Sequence, residues 1–533
     1  MESSVEAHLS RWIICFGLIA ILLIAIQYIY VPLYSSPLSR IPGPKLFAST
    51  KWRLAYEDWK GARTSSIHRL HEKYGSAVRI GPDEVSFSDQ EALRAIYGAG
   101  SGFERDTFYR MFDVYGRQNL FTFASSSEHA ARKKLLSHAY SKSNIIKGPM
   151  AAMVEEKVRQ YLRLLETEAD SACEIFTNLH YFSIDSITHF LYGKDHGATT
   201  TLTGSAVDRA LLDDIMIPTR RRLSWFAVHF PATTKWLYTR TGIMEHLATW
   251  LDIFPMRKPA TYTGIRAHAL KAWLGYKEAS IDQKTTIAQD SIVGLLWNHQ
   301  ASGKKPFLED LDIASECADH LLAGIDTTSD TLMFLIWALS LPANRIYQQR
   351  LIKEISTINK DGLVAEGIPS VAASDKLPYL DATIKETLRL YAPLPASEPR
   401  SLAVDSTING YVIPARTVVG MSPYSLHRNE DVFPDSLKFN PDRWLDASSD
   451  LTEMKKWFWA FSSGARMCIG LHLAMAEMKT LTAAIYQNYT TQVRPGDEKT
   501  SPGITSRFEV FYDETCERME EHTCWIDFRK HGS

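Results

Sequence analysis

The segment Phe461-Ser-Ser-Gly464-Ala-Arg466-Met-Cys468-Ile-Gly470 decides the fold of this chain. It places one cysteine in a loop with two glycines, and an arginine stands two residues before that cysteine. The helix-like stretch Leu471–Lys479 follows directly. A thiolate at the N-terminus of a helix is stabilised by the helix dipole and by free backbone N–H groups. The segment therefore predicts a thiolate that is able to bind a metal.

A cysteine in this setting can be the axial ligand of a haem iron, and a thiolate ligand favours cleavage of an O–O bond. Gly464 and Gly470 would let the backbone approach a flat macrocycle where a Cβ would clash. Arg466 can reach an anionic propionate as a charge-assisted donor. The alternative is a buried structural cysteine, because most free cysteines are of that kind.

At every fixed position the segment resembles the haem-binding signature F-x-x-G-x-R-x-C-x-G of the cytochrome P450 family. The resemblance covers nearly all of residues 45–533. It implies the cytochrome P450 fold, haem b (iron protoporphyrin IX) as the cofactor, and Cys468 as the ligand of the iron. The signature residues that it places against the haem are Phe461, Gly464, Arg466, Cys468 and Gly470.

The composition is that of an ordinary globular protein. The chain has 533 residues, of which 45% are hydrophobic and 23% charged, and its formal net charge is −2. This charge gives no reason to expect a nucleic-acid partner. The six cysteines are scattered without a C-x-x-C pair, which argues against a disulfide framework or a zinc site and fits a reducing compartment.

The N-terminal stretch Trp12–Val31 contains no charged residue. At 1.5 Å per residue, a helix of this length is about 30 Å long, which matches the hydrocarbon core of a bilayer. A cleaved signal peptide is the alternative, but its apolar core would be shorter and no clear small-x-small cleavage site follows. The stretch therefore predicts an uncleaved single-pass membrane anchor.

The charges beside this stretch predict its orientation. Arg11 is the one basic residue before it, whereas several follow within the next 22 positions: Arg40, Lys45, Lys51 and Arg53. The positive-inside rule then places the body of the chain in the cytosol, which suggests the endoplasmic reticulum membrane. Ile41-Pro-Gly-Pro44 cannot be helical throughout and predicts a stiff hinge. We expect an anchor with its flank over residues 1–40 and one haem domain over 41–533.

The body is expected to be mostly α-helical with a small β-sheet region. Residues 74–88 alternate apolar and polar types across a turn, as in a hairpin, and 407–421 have strand-like character. Helical periodicity covers four long stretches: 128–139, 150–168, 310–341 and 343–358.

The long helix contains Ala323-Gly324-Ile325-Asp326-Thr327-Thr328. Glycine and two threonines weaken a helix interior, so we expect a groove there. The segment resembles the oxygen-binding motif A/G-G-x-D/E-T-T of the P450 family. The resemblance places Ala323 and Gly324 against the haem, lets Thr327 hydrogen-bond dioxygen or its water, and makes Asp326 a source of protons. The alternative is a core helix whose threonines bond back to the i−4 carbonyl groups.

Two further motifs predict a structural network. Glu386 and Arg389 lie one helical turn apart and match the family's E-x-x-R pair. Pro441-Asp-Arg-Trp444 resembles the P-E-R-F element, with aspartate and tryptophan as departures. The resemblance implies a buried ion-pair network that positions the loop before Cys468.

The haem propionates require cations besides Arg466. Arg400 aligns with the family's propionate arginine. His129 and Lys133 stand where the family has a W-x-x-x-R pattern, and both are departures from it. Arg132 could serve instead of Lys133, and the alternative for the whole stretch is a solvated basic helix face.

The resemblance implies a membrane-anchored haem-thiolate monooxygenase. Such an enzyme uses O2 to hydroxylate or epoxidise a lipophilic small molecule, with electrons from a separate NADPH-cytochrome P450 reductase. The overall style is similar to that of fungal members acting on terpenoid, polyketide or alkaloid intermediates of secondary metabolism. The aromatic-rich stretch 103–123 and residues 394–397 are expected to line the substrate pocket. A haem-thiolate isomerase or dehydratase that needs no dioxygen, and a non-enzymatic haem sensor, remain alternatives.

Overall fold

The computed structural model describes residues 2–168, 172–194, 196–213, 220–233, 250, 263–279, 291–447, 449–506 and 509–531. Within these ranges α-helices predominate and the sheets are small, so the predicted fold class is confirmed. The longer helices are α1 Glu2–Ala25, α2 Trp52–Trp59, α3 Arg63–Tyr74, α4 Gln90–Tyr97, α5 Ser126–Leu136, α6 Gly148–Glu168, α7 Ile175–Tyr192, α8 Arg220–His229, α9 Thr263–Glu278, α10 Ile292–Ala301, α11 Asp310–Ser340, α12 Arg345–Ile355, α13 Pro378–Leu390 and α14 Leu471–Asn488.

The strands form four small sheets in the described part of the chain. The orders are β1-β2-β8-β5-β3, β11-β10-β12, β4-β13-β9 and β6-β7. Their bounds are β1 Ala77–Gly81, β2 Glu84–Phe87, β3 Glu104–Arg105, β4 Cys173–Glu174, β5 Arg400–Ser401, β6 Ser406–Ile408, β7 Tyr411–Ile413, β8 Val418–Gly420, β9 Tyr489–Val493, β10 Thr500–Ser506, β11 Glu509–Phe511, β12 Arg518–Glu521 and β13 Trp525–Lys530.

Helix α11 runs through the centre of the body. Every residue from Leu332 to Leu339 is buried, as expected for a stretch that is apolar on all sides. The helix packs along α7 and also contacts α9, α13 and α14. Its middle is different, because Ala323 is exposed although both flanking turns carry buried residues. This face of α11 therefore borders an accessible space, which is called the cavity below.

The N-terminal helix is apolar and uncovered. Helix α1 continues as a π-helix over Ile26–Ser35, and Trp12–Ser35 is long and apolar enough to cross a membrane. Such a helix is only weak evidence of a membrane anchor. At its end the Arg79 side chain of β1 donates to the carbonyl oxygen of Pro32 (2.5 Å), which ties the helix to the five-stranded sheet.

The predicted helix and strand boundaries agree with the structure to within a few residues. The hairpin expected over 74–88 is the antiparallel pair β1–β2, and the 407–421 region contains β6, β7 and β8. Asn409 and Gly410 join β6 to β7 and both have positive φ (51° and 76°), the conformation of a two-residue hairpin turn.

Candidate functional site

The cysteine loop is closed by its own backbone. The N–H of Cys468 donates to the carbonyl oxygen of Phe461 (2.9 Å), and α14 begins three residues after the cysteine. Burial raises the pKa of the Cys468 thiol, while the backbone N–H groups of Gly470 and Leu471 and the Lys133 ammonium act in the opposite direction. The side chain itself is nevertheless accessible. A thiol in this position is therefore accessible to a ligand.

The two glycines of the loop differ in what surrounds them. Gly464 has φ +64°, and a Cβ there would lie 2.2 Å from the carbonyl oxygen of Tyr97. The missing side chain therefore allows close packing on the end of α4, and the approach of this backbone to a macrocycle stays a prediction. A Cβ at Gly470 would meet only the Cys468 sulfur, at 3.9 Å. Gly470 thus leaves space beside the thiol.

Basic side chains from four parts of the chain gather around this loop. Arg466 donates to the carbonyl oxygens of Phe123 (2.7 Å) and Ala124 (2.8 Å). Lys133 donates to those of Ala465 (2.8 Å) and Met467 (3.0 Å). The members of this basic cluster are Arg105, His129, Lys133, Arg400 and Arg466.

The basic cluster has little negative charge to balance it. Arg400 forms an ion pair with Glu398 (3.0 Å), but no carboxylate of the described residues lies within 4.0 Å of the other four. Burial, Arg466 and Arg105 together lower the pKa of His129 to about 3. Burial, Arg105 and Arg400 likewise lower the pKa of Arg466 to about 9. The cluster therefore favours an anionic ligand, and the two propionates of a haem would fit this donor set.

The sequence left open whether Arg132 or Lys133 would serve in this cluster. Arg132 forms a buried ion pair with Glu316 of α11, and its guanidinium lies over the Phe123 ring. Lys133 points to the cysteine loop instead. Arg105, on β3, was missed, because nothing in its local sequence distinguishes it from an ordinary arginine.

The residues of the α11 motif agree with the sequence-based expectations only in part. Ala323 and Thr327 face the cavity, and the Thr327 hydroxyl donates to the carbonyl oxygen of Ala323 (2.7 Å). This is the back-bond of the alternative interpretation, although it leaves the lone pairs of the hydroxyl free to accept. The helix shows no interruption at Gly324. A Cβ there would lie 2.5 Å from Ile187, so the glycine allows α7 to approach and does not form the expected groove.

Glu386 is the centre of a buried network. Arg389 binds its carboxylate with two hydrogen bonds (2.8 and 2.9 Å), and Arg443 and the indole N–H of Trp444 also donate to it (3.1 and 2.9 Å). Burial raises the pKa of Glu386, but Arg389 and Arg443 outweigh this effect and hold it below its usual value. Trp444, which stands where the family element has phenylalanine, thus adds a hydrogen-bond donor to the network. Asp442, which stands where the family element has glutamate, forms an ion pair with Arg350.

His427 joins this network to the cysteine loop. Its Nδ1 donates to the carbonyl oxygen of Arg389 (3.0 Å), and its Nε2 accepts from the backbone N–H of Trp459 (2.8 Å). Only a neutral imidazole can make both bonds, and burial together with Arg389 lowers the pKa of His427 to about 3. The network therefore fixes the backbone two residues before Phe461.

An accessible thiol at a helix N-terminus, a basic cluster around it and an acid–alcohol pair on a central helix define a haem-thiolate protein. The cytochrome P450 family model matches residues 42–510, and the chain belongs to this family. The chain is 29% identical to the cytochrome P450 monooxygenase aflV of Aspergillus parasiticus over 90% of this chain and 89% of that protein. It is 29% identical to stcB of Emericella nidulans (85% and 82%) and 27% identical to tazI of Aspergillus terreus (96% and 98%), both also cytochrome P450 monooxygenases. The chain is therefore a haem-thiolate oxidoreductase of the monooxygenase type.

Proposed function

We propose that this protein hydroxylates or epoxidises a lipophilic small molecule with O2, and that Cys468 is the ligand of its haem b. The observation that carries the proposal is the accessible Cys468 thiol within the basic cluster; the exposed Ala323 on α11 is consistent with it. A haem held by Cys468 would supply the chemistry that consumes dioxygen, two electrons and two protons, with one oxygen atom inserted into the substrate and the other released as water.

We assign a separate role to each group of side chains. Arg466, Lys133, His129 and Arg105 hold the propionates. Asp326 moves protons into the cavity, and the Thr327 hydroxyl orients the water that carries them. Ala323 has a small, exposed side chain, which would leave room for a ligand beside α11.

The pocket supports an apolar substrate. Phe108, Tyr109, Phe112 and Phe121 form edge-to-face ring pairs with centroids 5.2–5.8 Å apart. Such a cluster offers an apolar surface with few polar groups, which suits a lipophilic ligand. A terpenoid, polyketide or alkaloid intermediate of fungal secondary metabolism fits this description. The aromatic residues follow β3, and the exposed Leu394 precedes β5, which pairs with β3.

The anchor and the electron source belong to the same proposal. Residues 1–40 would hold the protein on the endoplasmic reticulum, and residues 41–533 would form the haem domain in the cytosol. Electrons would come from a separate NADPH-cytochrome P450 reductase on the same membrane. The apolar helix Trp12–Ser35 and its fixed contact through Arg79 support this arrangement.

The test is turnover with isotope-labelled dioxygen. The full-length protein, NADPH and the reductase are incubated with a panel of terpenoids, polyketides and alkaloids, and products are analysed by mass spectrometry. We expect one labelled oxygen atom in the product. Turnover that continues without dioxygen would contradict the proposal and favour a haem-thiolate isomerase or dehydratase.

Replacement of Thr327 by alanine is expected to preserve haem binding and to increase release of hydrogen peroxide. The hydroxyl offers one hydrogen bond to water in the cavity, and one such bond corresponds to about 0.5–1.5 kcal/mol, or a roughly 2- to 12-fold change. The measurement is peroxide formed per NADPH oxidised. Thr331→Ala is the matched control, because Thr331 makes the same back-bond, to Thr327 (2.7 Å), one turn further along the helix. Equal peroxide release from the two variants would contradict the assigned role.

A further inference from the structure

Asp319 is an acidic residue of α11 to which the proposed mechanism gives no role. It stands one helical turn before Ala323 and therefore on the same face of the helix, the face that borders the cavity. The side chain of Asp319 is partly exposed, whereas Ala318 and His320 on either side of it are buried. Its carboxyl group is thus accessible to a ligand that enters the cavity.

The other acid in this part of α11, Glu316, already has partners. Its carboxylate binds Arg132, lies 3.1 Å from Nε2 of His320 and accepts from the backbone N–H of Leu120 (3.1 Å). An oxygen of Asp319 lies within 4.8 Å of this group, but Asp319 forms no ion pair within 4.0 Å with any residue that the structure describes. Of the two acids, Asp319 is therefore the one that a ligand can use.

Phe121 connects Asp319 with the aromatic pocket and with the basic cluster. Its backbone N–H acts on the Asp319 carboxyl as a hydrogen-bond donor, and its carbonyl oxygen accepts from Arg105. Its ring packs edge-to-face on Tyr109 (5.2 Å) and Phe112 (5.4 Å). Asp319 thus provides a polar group at the edge of the rings that are proposed to receive the substrate.

The charges around Asp319 favour a neutral hydrogen-bond donor over a cation. Burial raises the pKa of the Asp319 carboxyl to about 7, an effect that His320 and Arg105 oppose and Glu316 strengthens. The carboxyl is therefore only partly ionised at neutral pH. Arg105 and the rest of the basic cluster would also repel an ammonium group. A hydroxyl group meets neither obstacle and can donate to a carboxyl oxygen.

We propose that Asp319 recognises a hydroxyl group on an aromatic substrate, whose ring lies against Phe112 and Phe121 while its O–H donates to the carboxyl group. The substrate class is then a hydroxylated aromatic compound, and neither a plain hydrocarbon nor an amine. Asp319 holds the substrate and takes no part in oxygen transfer. The proposal rests on the proposed function, because it names the substrate class of the same cavity.

Ligand binding to the holoprotein tests this recognition without turnover. The probes are 2-naphthol and 2-methoxynaphthalene, which share a ring system but differ in that the ether cannot donate a hydrogen bond. Their affinities are measured by isothermal titration calorimetry. We expect the wild-type protein to bind 2-naphthol about 10-fold more tightly, which corresponds to one hydrogen bond of ~1.4 kcal/mol.

Variants of Asp319 assign the difference to its carboxyl group. Asp319→Leu should bind the two probes equally. Asp319→Asn should retain a preference of roughly 3-fold for 2-naphthol, because a neutral acceptor forms a bond about half as strong, and it keeps the test decisive if Asp319→Leu folds poorly. Asp431→Leu is the control, since Asp431 is an exposed acid in the segment between β8 and α14, and it should show the full preference.

Three results would overturn the proposal. The first is that the wild-type protein binds both probes equally, or neither of them measurably. The second is that Asp319→Leu keeps the wild-type preference. The third is that 2-naphthylguanidine binds more tightly than 2-naphthol, because the recognised group would then be a cation. All three leave the proposed function standing, since incorporation of labelled oxygen is measured separately on the wild-type protein.

Discussion

Replacement of Cys468 by alanine or histidine is expected to abolish the red-shifted absorption band that the reduced, carbon-monoxide-bound protein shows with a thiolate ligand. No other described cysteine lies in an accessible loop at the start of a helix, so no second thiolate can take its place. Monooxygenase activity should fall by more than the roughly 10- to 100-fold that removal of an outer-shell partner of a metal typically costs. The reduced carbon monoxide difference spectrum is the measurement.

The control for this variant is Cys516→Ala. Cys516 is a half-buried free cysteine in the segment between β11 and β12 and is not a member of the basic cluster. It should keep both the band and the activity. A red-shifted band that persists in Cys468→Ala would show that another residue binds the iron, and the proposed site would be wrong.

Replacement of Glu386 by glutamine is expected to cost about 3–5 kcal/mol in the free energy of unfolding, the usual cost of breaking a buried ion-pair network. Arg389 and Arg443 would keep their buried charges but lose the carboxylate that both of them contact. His427 transmits the change to the cysteine loop, so haem should be lost before the global fold. Haem absorbance and circular dichroism during urea unfolding of the holoprotein measure the two events.

Two matched variants make this expectation testable even if Glu386→Gln folds poorly. Trp444→Phe removes one hydrogen bond to the same carboxylate and should cost about 1.5–3 kcal/mol, the value for bonds to a charged group. Glu517→Gln removes an exposed ion pair with Lys499 and should cost about 1 kcal/mol at most. If Trp444→Phe and Glu517→Gln have the same free energy of unfolding, the Glu386 network does not stabilise the fold by the proposed amount.

The sequence predicted the parts of the site that depend on short spacing. Cys468 and the helix after it are adjacent in the chain, and Glu386 and Arg389 are one turn apart, so local geometry relates them. The bounds of α11 agree with the prediction for a similar reason. An apolar helical stretch that ends at Pro342 has few other conformations open to it.

Single glycines are harder to interpret from sequence. The motifs around Gly324 and Gly464 predicted a groove and an approach to a cofactor, whereas the structure shows that Gly324 packs on Ile187 and Gly464 on Tyr97. A missing Cβ says only that something comes close. What comes close is decided by another element, and the printed sequence does not contain that information.

By itself, then, the sequence determined the family, the cysteine loop, the acid–alcohol pair of α11 and the apolar N-terminal helix, because each is a pattern of neighbouring residue types. The tertiary structure alone decided that Arg105 joins the basic cluster, that Arg132 pairs with Glu316, and that Asp319 lies beside Phe121. The physical reason is distance along the chain: these partners are tens to hundreds of residues apart, and only packing of the helices brings them within reach of a hydrogen bond or a charge.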